Sequence, residues 1–321
     1  MPTNKNFLAN MRVFYGLDQL DNFKNPVITI GTFDGVHCGH QAIFRRIRHK
    51  AKEVDGVSII ITFEPHPRMV LVQDGNPVSL LTTLEEKINL LEKNSIDNVV
   101  VMPFTKEFAA LTADAYISDF LVAHFHPHTI VIGYDHHFGI NRSGNIHLLE
   151  KRKEVFHYEI EEISAQEINN SNVSSTRIRQ AIAKGNIQLA NDFLGYDYSI
   201  QGKVIEGDQR GRTIGFPTAN IALENQAKLI PAKGVYAVQV FVEDKEYNGM
   251  LNIGNRPTIG DSTKISIEVH LLDFQEIIYG KIIRIAFIYR LRDEKKFDSL
   301  DALVLQLQED KKMVEAMMKK S

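Results

Sequence analysis

The residues of this 321-residue chain best suited to chemistry stand in one glycine-rich string, Gly31-Thr32-Phe33-Asp34-Gly35-Val36-His37-Cys38-Gly39-His40. It follows the apolar run Val27 to Ile30 and precedes Ile43, Phe44, Ile47, Ala51 and Val54 at helical spacing, so it reads as a strand-to-helix turn. Backbone amides at a helix N-terminus attract anions, Gly31, Gly35 and Gly39 permit close backbone approach, and two imidazoles can offer N–H donors to the same anion. Phosphate is the anion such a turn would hold. A lone histidine in a loop is commonly surface decoration, but two flanking a glycine at this junction argue for a site. Further polar stretches are Thr62-Phe63-Glu64-Pro65-His66-Pro67-Arg68, Gly133-Tyr134-Asp135-His136-His137-Phe138-Gly139 and Val173-Ser174-Ser175-Thr176-Arg177-Ile178-Arg179. In the last, hydroxyls and guanidinium groups meet at the start of an apparent helix, where serine and threonine also serve as caps.

A second candidate lies far downstream. The block Gly211-Arg212-Thr213-Ile214-Gly215-Phe216-Pro217-Thr218-Ala219-Asn220 is glycine-rich and closes on a proline-threonine pair. Its glycines and Pro217 could simply turn a barrel corner. In the run Ile267-Glu268-Val269-His270-Leu271, period-two alternation puts Glu268 and His270 on one face and the three apolar residues on the other. If the apolar set is core, Glu268 faces a cleft.

These residues need elements to position them. The first half alternates β-rich runs (Val27–Ile30, Val57–Phe63, Asn98–Met102, Thr129–Ile132, Val155–Ile160) with helical patterns, including Leu84, Ile88 and Leu91. That is the sequence form of a doubly wound parallel sheet, whose ligands bind beyond the carboxyl ends of the strands. After Gly195 the runs Tyr198–Ile205, Gly234–Glu243, Tyr247–Ile253, Ile265–Leu272 and Ile282–Leu291 are closely spaced and punctuated by turn residues, predicting an antiparallel barrel or sandwich. A closing helix is expected from Leu300, Leu303, Val304, Leu307, Met313 and Met317, with Ser299 or Asp298 as N-cap. Of 12 histidines, 11 lie between His37 and His157, so the two halves differ chemically. The division is placed at residues 1–186 and 187–321.

Composition excludes several classes. With 44% hydrophobic and 24% charged residues the chain should fold, and its net charge of −3 gives no basic footprint for nucleic acid or an anionic membrane. One cysteine, Cys38, allows neither an intramolecular disulfide nor a multi-cysteine zinc site. With no long apolar run and a polar N-terminus, a cytoplasmic protein is expected.

The string Gly-Thr-Phe-Asp-Gly-Val-His-Cys-Gly-His-Gln, the Phe63-Glu64-Pro65-His66-Pro67 loop, Gly133-x-Asp135-x-x-Phe138-Gly139 and Val173-Ser174-Ser175-Thr176-Arg177-Ile178-Arg179 resemble the bacterial bifunctional riboflavin kinase/FAD synthetase family. His-Cys-Gly-His is similar to the HxGH signature of nucleotidyltransferases, and Gly211 to Asn220 to the GxxxGFPTAN signature of riboflavin kinases. The stretches Asn252-Ile253-Gly254-Asn255-Arg256-Pro257-Thr258 and Ile267 to Phe274, then Arg292 and Phe297, continue the likeness. The resemblance implies an N-terminal Rossmann-like FMN adenylyltransferase and a C-terminal β-barrel riboflavin kinase with a terminal helix. It implies riboflavin, FMN and ATP as substrates and Mg²⁺ as cofactor. By it, His37 and His40 stabilise charge on ATP phosphates; Gly31, Phe33, Asp34, Gly39, Ser175, Thr176 and Arg179 contact the nucleotide; and Asp135, Phe63 and Pro65 contact the flavin. In the second module it implies Glu268 as general base, Gly211 and Gly215 approaching ATP, and Thr218 and Asn220 as holders of nucleotide and metal. Cys38 then reads as a spacer. His136 and His137 depart from the family's common pattern, which often has an aromatic and a basic residue there.

Other readings stay open on sequence. One is that only the adenylyltransferase module turns over. Another takes Asp135-His136-His137, with His37, His40 and His66, as ligands of a metal-dependent phosphoesterase. A third is a flavin- or nucleotide-sensing regulator on the same fold.

Overall fold

The computed structural model describes residues 11–71, 79–134, 136–164, 173–207, 210–256 and 264–319. The chain forms two compact units, Met1–Ser175 and Thr176–Ser321. The first is built on six strands: β1 (Arg12–Tyr15), β2 (Val27–Ile30), β3 (Ser58–Glu64), β4 (Asn98–Pro103), β5 (Thr129–Gly133) and β6 (Glu159–Ile163). All pair in parallel, in the order β1-β4-β3-β2-β5-β6.

The central strands carry apolar residues on both faces, as a sheet covered on both sides requires. Ile59 and Ile61 of β3 pack with Tyr116, Phe120 and Phe125 on one face, while Ile60 packs with Phe44, Ile47 and Leu91 on the other. The strand order reverses at β2, because β3 and β4 lie to one side of it and β5 to the other. A crevice at the carboxyl ends of β2 and β5 follows from that reversal. The turn that starts at Gly31 leaves β2 there.

Three expectations for this unit need correction. The last strand is Glu159–Ile163, not Val155–Ile160, because Val155 and Phe156 end the helix Ile146–Phe156 and His157 caps it in the left-handed region at φ 56°. The edge strand β1 was not anticipated; four residues with exposed ends give no periodic signal. In the helix Leu84–Lys93 the buried side chains are Lys87 and Leu91, while Ile88 is only half-buried.

The second unit opens with the helices Ser175–Ala183 and Ile187–Leu194, the first of which begins one residue before the unit boundary. Its strands are β7 (Ser199–Ile205), β8 (Ala219–Leu223), β9 (Gly234–Val242), β10 (Lys245–Arg256), β11 (Lys264–Leu271) and β12 (Ile282–Arg292). They close a barrel in the order β10-β11-β8-β7-β12-β9 with every pairing antiparallel. β8 was not anticipated as a strand, since its start is hidden in the Pro217-Thr218-Ala219-Asn220 block.

The helix Leu300–Met318 lies on the outer face of the barrel, with Ser299 accepting the Ala302 amide at 3.1 Å as N-cap. Val314 packs with Ala237, Met250 and Leu272, joined by Val304, Leu307 and Met318. The buried stripe is therefore not the expected one, since Leu300 is 61% exposed and Met313 36%. Asp310 takes a place on the stripe and is fully buried. Arg292 of β12 meets its carboxylate with a fork, Nε at 3.1 Å from both oxygens and a terminal nitrogen at 2.8 Å, and Gln306 adds a bond at 3.1 Å.

Removing the guanidinium would leave that carboxylate buried and unpaired, at a cost of about 3–5 kcal/mol. Arg292→Met is expected to lower the unfolding free energy of the barrel by that amount and so move its urea midpoint to lower concentration. Unfolding followed by far-UV circular dichroism, with the N-terminal unit's transition unchanged, checks it.

Candidate functional site

In the first unit the site begins where β2 ends. A Cβ at Gly31 would come 2.9 Å from the Phe33 ring, so a glycine is needed for that ring to fold back over the strand end. Phe33 and Val36 hold φ values of 47° and 39°, in the left-handed region that side chains rarely adopt. The turn is fixed by Asp34, only 2% exposed, whose carboxylate accepts the Leu81 amide at 3.0 Å, the Thr82 amide at 3.0 Å and the Thr82 hydroxyl at 3.2 Å. Gly35 N donates to the same hydroxyl at 3.0 Å. Ser175 donates its hydroxyl to the Asp34 carbonyl at 2.9 Å.

The helix Cys38–Glu53 starts here with His37 as N-cap and no acidic side chain in its first turn. No acidic side chain within that turn offsets its partial positive charge. Gly39, buried in the first turn, keeps that turn free of side-chain bulk. His37 Nδ1 accepts the His40 amide at 3.4 Å, which puts the proton of the neutral ring on Nε2. The His37 and His40 rings stack at 3.6 Å and 19°, and Phe33 meets His40 edge-on at 5.2 Å. Among the described residues the buried His40 Nδ1 has no hydrogen-bond partner, although the ring as a whole is partly open. Burial holds the His40 imidazole well below its ordinary titration range, and the neighbouring His37 and Lys87 push the same way.

Two stacked rings present N–H groups to an anion but do not converge their lone pairs on one ion. Among the described residues no three His, Cys, Asp or Glu side chains gather as metal ligands. His66 is 8% exposed and its Nδ1 accepts the Arg68 amide at 3.1 Å.

The expected flavin contacts are spread out. Phe63 is 7% exposed and packs against Phe104 and Phe108 at 5.4 Å each, inside the core. Pro65 is exposed beyond it. Asp135 lies outside the described residues; beside it Tyr134 is 52% exposed and His136 sits 5.9 Å from the Phe138 ring. Thr176 is exposed and Arg179 half-buried further along the helix that Ser175 opens, while Arg177 stacks over Phe193 at 5.3 Å.

In the barrel, register builds the site. Asn220 of β8 lies directly across from Glu268 of β11, and Glu268 directly across from Asn252 of β10. Direct cross-strand partners have Cβ atoms about 4.5–5.5 Å apart, so a carboxylate is flanked by two amides in one row. Ile267 and Val269, on either side of Glu268, are buried at 4% and 0%, as the alternation predicts. Thr218 stands two residues before Asn220, just ahead of β8. A Cβ at Gly211 would fall 2.2 Å from the Phe216 carbonyl, and Phe216 N donates to the Gly211 carbonyl at 2.9 Å, so this turn closes backbone on backbone. Gly215 holds φ 82° at its tip. His270 bonds the Pro217 carbonyl at 2.7 Å through Nδ1 and meets Phe216 edge-on at 5.3 Å, bracing the segment that leads into Thr218. The Thr218 hydroxyl and the Asn220 amide oxygen are hard oxygen donors of the kind a magnesium ion accepts, and the Glu268 carboxylate stands across from Asn220 in the same row.

Three contributors were missed in the sequence. Lys87 was signalled by a cation at the i+3 position of an apolar helix stripe, and Asn252 stood in a quoted motif without a role. His270 was placed on the Glu268 face, but its contact with Pro217 spans 53 residues and has no local signal.

Comparison with known proteins follows the same division. The family model for FAD synthetase matches residues 20–177 and that for riboflavin kinase residues 194–318. The chain is 41% identical over 302 residues to a bifunctional riboflavin kinase/FMN adenylyltransferase of Haemophilus influenzae, covering 94% of this chain and 97% of that one. It is 39% identical to its namesake in Escherichia coli K12, covering 94% and 96%. A solved structure described as a macrolide-efflux protein from Streptococcus pneumoniae superposes with a TM-score of 0.83 at 30% identity, covering 95% of this chain and 98% of that one. Among the described residues no helix of this chain is long and apolar enough to cross a membrane. Both units, in order and over nearly their full length, place this chain in the family of bifunctional riboflavin kinase/FMN adenylyltransferases.

Proposed function

We propose that the chain makes FMN from riboflavin and FAD from FMN, each with ATP, in a module at residues 187–321 and one at 1–186. The observation that carries this reading is the contrast between the two sites. One offers N–H donors and a helix N-terminus with no activated nucleophile; the other offers a carboxylate in register with amide and hydroxyl oxygens.

The contrast fits the chemistry. In the barrel the ribityl hydroxyl must lose a proton as its oxygen forms a bond to the γ-phosphorus of ATP and the bond to ADP breaks. Glu268 accepts that proton, and a carboxylate suffices because phosphoryl transfer mainly requires the hydroxyl to be oriented. Thr218 and Asn220 would hold Mg²⁺, which when bound neutralises charge on phosphate oxygens. In the first unit the nucleophile is the FMN phosphate, already an anion. It bonds the α-phosphorus of a second ATP as pyrophosphate leaves, so His37, His40 and the helix amides need only orient the phosphates and offset charge that develops on them. A cytoplasmic location suits these substrates.

Incubation with riboflavin, Mg²⁺ and ATP, following FMN and FAD by chromatography, tests the reading. Glu268→Gln should lower FMN formation by about 10²–10⁴-fold while FAD still forms from supplied FMN. His37→Ala and His40→Ala together should lower FAD formation by about 10²–10³-fold and spare FMN formation. Loss of both activities in either folded variant would contradict two separate sites.

The neutral His40 also has a consequence for stability. Its folded-state pKa lies below the ordinary 6.5, so at pH values under 6.5 the unfolded chain binds more protons than the folded one. Stability of the N-terminal unit should therefore fall as pH drops below that value. Urea midpoints recorded against pH should show a flatter decline in His40→Ala.

A further inference from the structure

Lys87 is a charged side chain to which the mechanism above gives no task. It projects from the helix Leu84–Lys93 and is 4% exposed, on a stripe where a leucine or methionine would pack. Its Nζ donates to the Thr62 hydroxyl at 3.1 Å, and that hydroxyl donates to the Thr32 carbonyl at 3.2 Å. Thr62 is itself fully buried near the end of β3. The relay thus runs from the helix, through β3, to the first peptide of the phosphate turn, whose next residue is Phe33. Phe33 in turn sets its ring against His40.

The charged groups near Lys87 come from three elements. Asp34 of the turn and Glu64 of β3 favour its protonated form, while burial, the largest influence, opposes it. A simple ion pair does not account for it. Asp34 already accepts three hydrogen bonds from Leu81 and Thr82, and Glu64 is only half-buried. His40 is the third group within electrostatic reach, and the groups acting on His40 are His37 on its own turn and Lys87.

We infer that Lys87 is a positioning residue of the adenylyl-transfer site: through Thr62 it fixes the Thr32 carbonyl and the Phe33–His40 contact, and its ammonium is the fixed cation beside the imidazole pair. This rests on reading the first unit as the FMN adenylyltransferase. The two halves separate by substitution. Thr62→Val breaks the relay and keeps the cation; Lys87→Met removes both.

The experiment uses the full chain and measures three quantities. The first is kcat for FAD formation from FMN. The second is kcat for FMN formation from riboflavin, which reports on folding elsewhere. The third is the titration of the His40 ring, followed by ¹H–¹⁵N NMR of its nitrogens. Misplacing catalytic groups by an ångström costs on the order of tenfold to a hundredfold, and both variants should lose FAD formation by that factor with FMN formation unchanged. Removing a nearby cation makes protonation easier, so Lys87→Met should move the His40 midpoint to higher pH, while Thr62→Val leaves it in place.

The inference is overturned if both folded variants keep FAD formation within about twofold of the parent chain, or if the His40 midpoint in Lys87→Met does not move. Should Lys87→Met fail to fold, Thr62→Val decides the relay alone, and a His40 ring already protonated at neutral pH in the unaltered chain removes the cation's part. An unaltered chain that forms FMN but no FAD would instead refute the adenylyltransferase reading, and this inference with it.

Discussion

The first unit depends on one buried carboxylate. Between β2 and the helix Cys38–Glu53 the chain must reverse its pleated course in seven residues and still arrive with its amides at the crevice. It does so with Phe33 and Val36 in left-handed conformations, each costing about 1–3 kcal/mol. Asp34 stands between them and accepts two amides and a hydroxyl from Leu81 and Thr82; hydrogen bonds to a charged group contribute about 1.5–3 kcal/mol each. The magnitudes match, so the strained turn persists because Asp34 over-determines it. The segment that supplies those donors leads directly into the helix bearing Lys87, while Thr62 of β3 and Ser175 hold the Thr32 and Asp34 carbonyls of the same turn.

The barrel solves the same problem by different means. No strained turn delivers Glu268; the ladder does, since pairing β11 with β8 and β10 puts it between Asn220 and Asn252. A slip of one residue in either pairing would send Glu268 into the barrel and Val269 outward, which burial of a charge forbids. The apolar interior thus enforces the geometry of the polar row. Backbone closure at Gly211 and Phe216, with His270 braced on Pro217, then fixes where Thr218 enters that row.

What the sequence made legible follows from how far each signal reaches. Alternation and helical spacing act within a few residues, so the central strands, the barrel strands other than β8 and the outward face of Glu268 could be read directly. Motifs placed His37, His40, Thr218 and Asn220 at junctions before any pairing was known. Contacts between distant segments were not readable: Asp34 with Leu81 and Thr82 spans 47 and 48 residues. The strand Glu159–Ile163 was shifted because Val155 and Phe156, β-formers by type, are drawn into a helix whose end is set by His157 in the left-handed region. Phe63, expected at the flavin, lies among Phe104 and Phe108, an aromatic cluster whose members come from separate segments.

Two helices in this chain break their own apolar stripes with a buried charge, and the comparison is instructive. Asp310 is met by a guanidinium fork and an amide, so its charge is neutralised on the spot and its role is to lock a helix to the barrel. Lys87 carries three N–H donors, and among the described residues its hydrogen bond goes to the Thr62 hydroxyl, a neutral partner. Burying an ammonium costs several kcal/mol unless opposite charge offsets it, and the carboxylates within reach are either committed to backbone amides, as Asp34 is, or open to solvent, as Glu64 is in part. A fully compensated charge can be exchanged for an apolar side chain with little effect on a neighbouring site. An incompletely compensated one extends its field over the strand ends around it, and those strand ends carry the N–H groups of the stacked imidazoles and the positive end of a helix dipole. Such a convergence is unfavourable in the empty fold and would become favourable with a polyanion beside the turn, which is the physical argument for the phosphate site proposed there.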